Sequence, residues 1–279
     1  MIRYSDKDDL SGIIALWNEA FGETEKEIRF FLDNCYNPLN TLIYEIDGEI
    51  ASMLFLLEGD MHFRESDYAS YYLYAACTLK KFRGRGLMAE LLEFANKTAG
   101  SRGKHFICLR PGEKSLFEYY KKYGYQTVFT VKESKFSLSE TAYEPEEQIK
   151  YKTDVTSLRN KAFKGHNYFK WDKQFVDFAF LHNKYFGGSD FTSCKGYVLY
   201  SVISDKIVVK ETTFTSVSNI VGYVKDSSFN YARNIDILFP SWTDINGSIV
   251  PYAMMIAVSD EGQRIINLID NAYLGLTLE

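Results

Sequence analysis

The chain has 279 residues and a formal net charge of −5, with 46% hydrophobic, 25% charged and 16% aromatic residues. That length accommodates two domains or one large one, and the composition is that of a globular protein with a core. The acidic balance argues against a general nucleic-acid binder, no apolar run approaches the length of a membrane span, and the polar start Met1-Ile2-Arg3-Tyr4-Ser5-Asp6 is unlike a secretory signal.

In chain order, Ile2–Tyr4 reads as a short strand. Ser5 or Asp6 can cap a helix whose apolar residues Ile13, Ile14, Leu16, Trp17 and Phe21 recur on a helical period. Thr24 is a candidate N-cap for a second helix running to Cys35, with Ile28, Phe31 and Leu32 inward and Pro38 beyond its end. Asp47-Gly48 is a hairpin signal between strands Thr41–Ile46 and Glu49–Leu57. Tyr68–Thr78 is a longer strand, Leu87–Ala99 a helix stopped by Gly100 and Gly103, His105–Arg110 a strand, Lys114–Tyr123 a helix ended by Gly124, and Tyr125–Thr130 a strand. The resulting order, β-α-α-β-β-β-α-β-α-β, is a mixed α/β arrangement over residues 1–135.

Residues 136–150 are polar, contain Pro145, and read as a linker. Residues 151–279 then have the composition of a second α/β domain. Tyr151–Ala162 and Asp172–Lys184 are helix-like, followed by strand-like Gly196–Ile203, Lys206–Thr213, Asn234–Phe239 and Tyr252–Val258, and a last helix-like stretch Asp260–Ala272. The four cysteines, Cys35, Cys77, Cys108 and Cys194, show neither CxxC nor zinc spacing with histidine. They predict free thiols, no metal and a reducing, cytoplasmic location.

The most informative stretch is Lys81-Phe82-Arg83-Gly84-Arg85-Gly86, between a strand and a helix. A glycine-broken loop opening a helix exposes backbone N–H groups, and with the helix dipole and the arginines it can receive phosphate. An ordinary basic turn is the alternative reading of the loop alone. Gly84-Arg85-Gly86-Leu87-Met88-Ala89 also fits the dinucleotide fingerprint, but the next strand ends in Leu109-Arg110-Pro111 without the acid that would bind a ribose. No GxxxxGK[ST] is present, which argues against a P-loop nucleotidase.

A second segment, Ser115-Leu116-Phe117-Glu118-Tyr119-Tyr120-Lys121-Lys122-Tyr123-Gly124-Tyr125, follows on the next helix. Together the two segments resemble the GNAT acetyltransferase family, the first its pyrophosphate loop (with Lys81 in place of the usual Gln or Arg) and the second its aromatic helix end. The resemblance implies a GNAT acyl-CoA N-acyltransferase fold over 1–135, followed by a second mixed α/β domain, with a degenerate GNAT-like module as one reading of it. It implies that backbone groups of Ala76, Cys77 and Thr78 lie along the pantetheine arm of acetyl-CoA. Arg83, Gly84, Arg85, Gly86, Leu87, Met88 and Ala89 would hold the pyrophosphate, Ser115 would contact the coenzyme, and Tyr120 would be the general acid.

That chemistry suits a tyrosine, whose hydroxyl, with an unperturbed pKa of about 10, is protonated at neutral pH and can donate to a departing thiolate. The strand ending at Thr78 has no carboxylate in the stretch Tyr71–Thr78, so the strand Glu used by many GNAT enzymes as base is absent there. The whole chain is also distantly similar to the longer enhanced intracellular survival acetyltransferases, in which the C-terminal carboxylate activates the amine. By that resemblance Glu279, at the end of an apolar tail, is the candidate base; a tail that simply completes the second domain's core is the alternative. The expected activity is direct transfer of an acetyl group from acetyl-CoA to a primary amine of a small-molecule or peptide acceptor, without metal, nucleic acid or membrane. The rival expectation is a non-catalytic acyl-CoA-binding regulatory or scaffold protein. Trp171-Asp172 and Gly187-Gly188-Ser189 could shape a substrate cleft, against a packed Trp and an ordinary turn; Phe21, Phe30, Phe31 and Tyr36 are further cleft candidates.

Overall fold

The computed structural model describes residues 1–139, 141, 154–225 and 232–278. Most of the linker expected at 136–150, and Glu279, lie outside the described residues. In chain order the elements are β1 (Ile2–Tyr4), α1 (Leu10–Phe21), α2 (Glu25–Cys35), β2 (Thr41–Ile46), β3 (Glu49–Phe63), β4 (Ser66–Thr78), α3 (Leu87–Ser101), β5 (Phe106–Leu109), α4 (Lys114–Lys121) and β6 (Gln126–Ser137). They continue with α5 (Val155–Phe163), β7 (Tyr168–Trp171), α6 (Lys173–Tyr185), β8 (Ser189–Thr192), β9 (Tyr197–Ile203), β10 (Lys206–Thr212), α7 (Val217–Lys225), β11 (Asn234–Pro240), β12 (Ser248–Ala257) and α8 (Asp260–Ile265).

The chain divides into two compact units. The first comprises Met1–Asp60, Tyr68–Gln126 and Met254–Leu268. Its strands run in the order β1-β2-β3-β4-β5-β12, with β1–β2, β2–β3 and β5–β12 antiparallel and β4–β5 parallel. Side chains alternate across a strand, and this sorts the helices. Leu54, Leu56, Tyr71 and Leu73 pack with Leu91, Leu92, Ala95 and Ala99 of α3 and Tyr120 of α4. Phe55 and Tyr74, pointing the other way, meet Trp17 of α1 and Phe31 of α2.

Local chemistry sets the element ends. Gly22 stops α1 in the left-handed region at φ +77°. Thr24 and Glu27 form a reciprocal capping box at the start of α2, an arrangement worth about 1 kcal/mol. Asp47 and Gly48, at φ +50° and +80°, make the β2–β3 turn.

The second unit comprises Met61–Asp67, Thr127–Ala253 and Ile269–Glu279. Its strands include the run β6-β11-β10-β9-β8, in which β10–β11 is parallel and the other pairs are antiparallel. Helix α7 sets Ile220, Val221 and Val224 against Val198, Ile207, Val209, Ile235 and Ile237 of this sheet. Residues 273–278 are buried. The carbonyls of Leu274 and Gly275 accept from the Trp171 indole, both at 3.2 Å, so this apolar tail packs into the unit's core.

Several expectations need correction. The strand expected at Tyr125–Thr130 continues to Ser137, because β11 pairs with it from Val131 to Ser137. The last helix ends at Ile265, with a 3-10 turn over Ile266–Leu268 rather than helix to Ala272. Asn271 at φ +47° redirects the chain there, and Ala272 N–H donates to Val128 at 3.1 Å. Phe21 lies on the apolar period of α1 but is 49% exposed. Trp171 is a core residue, and the N–H groups of Gly187 and Gly188 close α6 by donating to the Lys184 and Asn183 carbonyls at 3.1 and 2.8 Å, so here the packed Trp and the ordinary turn are what the structure has.

Candidate active site

The site begins where two parallel strands part. The β4–β5 register runs Ser70↔Phe106, Tyr71↔Ile107, Tyr72↔Cys108 and stops there, although β4 continues to Thr78. Ala75, at φ +49°, puts a kink in β4 just beyond. Such a conformation costs a non-glycine residue energy and redirects the strand. Ala76, Cys77 and Thr78 therefore have no register partner on β5. Ser52 on β3 holds this splayed end by donating to the Cys77 carbonyl at 2.8 Å and bonding the Thr78 hydroxyl at 2.9 Å.

The loop that follows is tied at both ends. Lys80 N–H donates to the Glu19 carboxylate of α1 at 2.7 Å, and Arg83 Nε donates to the Thr78 carbonyl at 3.0 Å. Gly84 and Gly86 sit at φ +78° and +82°, a region side-chain-bearing residues rarely adopt, and a Cβ on either would project into open space. Gly86 precedes α3 without any side-chain cap, and the first helical bond is Glu90 N–H to Gly86. The N–H groups of Leu87, Met88 and Ala89 thus point out of the helix start with no intrahelical acceptor, the arrangement that binds anions.

These parts face one cavity of about 780 Å³. Its wall is Ala20 and Phe21 from α1, Ala76–Thr78 from β4, Phe82, Arg83, Gly84 and Gly86–Ala89 from the loop and α3, and Glu113, Leu116, Tyr119, Tyr120 and Tyr123 around α4. The structure brings together most of the sequence-derived site residues. Arg85 and Ser115 are not part of this wall: Arg85 lies over the Phe82 ring at 5.1 Å, and the Ser115 hydroxyl donates to Glu113. Lys81 is also elsewhere, paired with Glu49 at 2.6 Å.

Tyr120 is buried, with its ring edge-on to Tyr119 at 5.3 Å and to Tyr125 at 5.6 Å. Burial pushes the Tyr119 phenol up, and its neighbours Tyr123 and Tyr120 add to the rise. Burial likewise pushes the Cys77 thiol up, with Arg83 opposing, which leaves it a poor nucleophile. Among the described residues Glu113 is the one carboxylate in the wall, and no three His, Cys, Asp or Glu residues cluster as a metal site would require. Glu19 and Ser52 escaped the sequence reading because their roles depend on contacts to residues 61 and 25 positions away.

Residues 1–128 match the model of the acetyltransferase (GNAT) domain family. They are a GNAT domain, an acyltransferase module. The matched residues include the loop and α4, and the fold likeness reaches well beyond them. A probable N-acyltransferase of unknown function from Enterococcus faecalis has a similar structure, with TM-score 0.72 and 13% identity over 92% of this chain and 72% of that one. Eis1 from Mycobacterium abscessus gives TM-score 0.67 and 13% identity over 92% and 74% of the two chains. A GCN5-related N-acetyltransferase from Anabaena variabilis gives 0.73 and 11% over 92% and 73%. At these identities the likeness is one of fold. A comparison with curated proteins gives no match. No helix among the described residues is long and apolar enough to cross a membrane.

Proposed function

We propose that the chain is an N-acetyltransferase that moves an acetyl group from acetyl-CoA directly to a primary amine. The observation that carries this reading is the shared wall of one cavity, which joins an uncapped helix start and Arg83 to the splayed end of β4 and to Tyr120. The coenzyme fits those residues. Gly84 and Gly86 leave open space where a Cβ would stand, so phosphate oxygens can reach the N–H groups of Leu87–Ala89, and Arg83 adds a cation. The strand end at Ala76–Thr78 has backbone groups free of β5 for an amide-bearing arm.

When bound, acetyl-CoA supplies an acyl thioester. The protein's part is to orient it, to stabilise charge on the carbonyl oxygen and to supply a proton to the thiolate. The splayed backbone after Ala75 is suited to the second task. The Tyr120 hydroxyl is suited to the third, since a phenol keeps its proton at neutral pH. Glu279, outside the described residues, stays our proposal for the base that removes the amine's proton; deleting it from the folded protein should depress turnover far more than acetyl-CoA binding, and unchanged turnover sinks that assignment.

Isothermal titration tests the coenzyme reading first. Acetyl-CoA should bind saturably and NADH should not. In Tyr120→Phe, turnover on an amine panel should fall with coenzyme affinity retained, whereas a non-catalytic acyl-CoA-binding protein would show no turnover to lose. Folded protein that fails to bind acetyl-CoA refutes the reading.

A further inference from the structure

Tyr125 stands outside the cavity wall but against it, its ring edge-on to that of Tyr120 at 5.6 Å. It is 2% exposed, and its hydroxyl has no hydrogen-bond partner among the described residues. A buried hydroxyl without a partner is costly, and phenylalanine would fill the same space without that cost. The ring belongs to the core it shares with Tyr71, Ile107, Leu109 and Met254, so packing accounts for the ring and not for its oxygen.

The backbone fixes the two tyrosines relative to each other. The Tyr120 carbonyl accepts from Tyr123 N–H at 2.9 Å and from Tyr125 N–H at 3.3 Å, around Gly124 at φ +88°. This closes α4 and turns the chain back, so that the second ring meets the first. Burial pushes the Tyr125 phenol up, with Tyr120 and Cys108 adding to the rise, so it holds its proton and is a donor. Tyr119 on α4 and Cys108 on β5 are the pair's ionisable neighbours. Burial pushes both of these up as well, so each is neutral and brings no charge to the pair.

In the acetyl transfer the amine nitrogen bonds the acyl carbon, the carbon–sulfur bond breaks, and its electron pair leaves on sulfur. Sulfur takes the Tyr120 proton, which leaves a buried phenolate until solvent returns the proton that the amine has shed. A buried anion of this kind needs a hydrogen-bond donor. We propose that the Tyr125 hydroxyl is a positioning group for the general acid, donating to the Tyr120 oxygen as its proton departs. The donor that is orphaned in the resting protein is then satisfied as charge develops, so its contribution falls on the transition state rather than on the ground state. This rests on the acetyltransferase reading, with Tyr120 as the acid.

The test labels tyrosine Cζ with carbon-13 in the full chain and follows phenol ionisation by NMR as pH rises. The Tyr120 signal is the one lost in Tyr120→Phe. Tyr125→Phe removes only the orphaned hydroxyl, so the thermal midpoint should hold. The Tyr120 ionisation should nonetheless move up by about one pH unit, a tenfold change that matches one lost hydrogen bond to a charged group. Turnover on the amine panel should fall about tenfold in Tyr125→Phe with the KM for acetyl-CoA unchanged. Adding Tyr125→Phe to Tyr120→Phe should cost no further turnover, because the hydroxyl acts through Tyr120. A Tyr120 titration that is the same in both proteins, or lower in the variant, overturns the proposal. Folded wild type that fails to bind acetyl-CoA would instead overturn the acetyltransferase reading.

Discussion

Arg159 and Glu211 form an ion pair in which neither side chain is more than 1% exposed, with Nε 3.0 Å from Oε1. Burial alone would pull the guanidinium pKa down, but Glu211, Tyr197 and Tyr273 together outweigh it and Arg159 stays charged. The same guanidinium donates to the carbonyls of Phe169 at 2.8 Å and Leu274 at 2.9 Å, and the Tyr197 hydroxyl donates to Glu211. One buried cation thus ties α5 to β7, β10 and the C-terminal tail. Arg159→Met would leave the buried Glu211 without its cation and should cost about 3–5 kcal/mol in urea unfolding. The double variant Arg159→Met/Glu211→Leu should recover much of that loss. If the single and double variants are equally destabilised, the pair is not what holds the tail.

Gly275 beside this pair sits at φ +56°, and a Cβ there would fall 1.8 Å from Glu211 Oε2. Gly275→Ala must therefore both strain its backbone and displace the carboxylate. It should lower the thermal midpoint markedly, more than Gly165→Ala, whose added Cβ meets nothing within 4 Å at a similar positive φ. Equal effects at the two positions would show that only backbone strain counts.

The loop makes a separate prediction about binding. Gly86→Ala places a Cβ in the space assigned to phosphate and forces φ +82° on alanine, a strain of about 1–2 kcal/mol. Acetyl-CoA affinity by titration should drop by more than that strain alone explains. Glu19→Ala leaves the cavity wall intact but frees the Lys80 N–H, and should weaken acetyl-CoA about threefold to tenfold, as expected for one lost hydrogen bond at the loop. Affinity unchanged in both variants would move the phosphates elsewhere.

How much of this was legible in the sequence varied with the range of the interaction. Asp47-Gly48, the Thr24 cap and the glycines at 84 and 86 act within a few residues, and each signals its turn locally. Strands β7 and β8, four residues each, are too short to show alternation and were not anticipated. Helix α7 was also missed, because Val217, Ile220, Val221 and Val224 with Gly222 carry weak helix propensity; packing of Ile220, Val221 and Val224 into the sheet outweighs it. The splay at Ala75 has no local signature, because alanine gives no sign of a positive φ. Nor does local sequence reveal that Met254 pairs with Leu109 in the first unit.

The thiols should differ in reactivity. Cys194 is exposed and Cys35 partly so, whereas Cys77 and Cys108 are buried, with thiols pushed up by burial. A raised pKa leaves little thiolate near neutral pH, so Ellman's reagent should modify Cys194 first and reach Cys77 and Cys108 only on unfolding. Rapid modification of Cys77 in the folded protein, blocked by acetyl-CoA, would contradict its assignment as an inert wall residue.

His182 gives the fold a pH dependence of definite sign. It packs between Phe178 and Phe186 with ring centroids at 5.6 and 4.5 Å, and burial, with Lys210 adding, lowers its pKa to about 4. In the unfolded chain an imidazole titrates near 6.5. Between these values the unfolded state binds more protons, so the stability contributed by neutral His182 is complete above about pH 6.5 and is lost as pH falls toward 4. Partial exposure of the ring limits the effect to about 1–3 kcal/mol. His182→Gln should flatten the stability profile in that window while leaving its acid limb below pH 4, where carboxylates titrate. A profile that keeps the same slope between pH 6.5 and 4 in the variant would assign the dependence to another group.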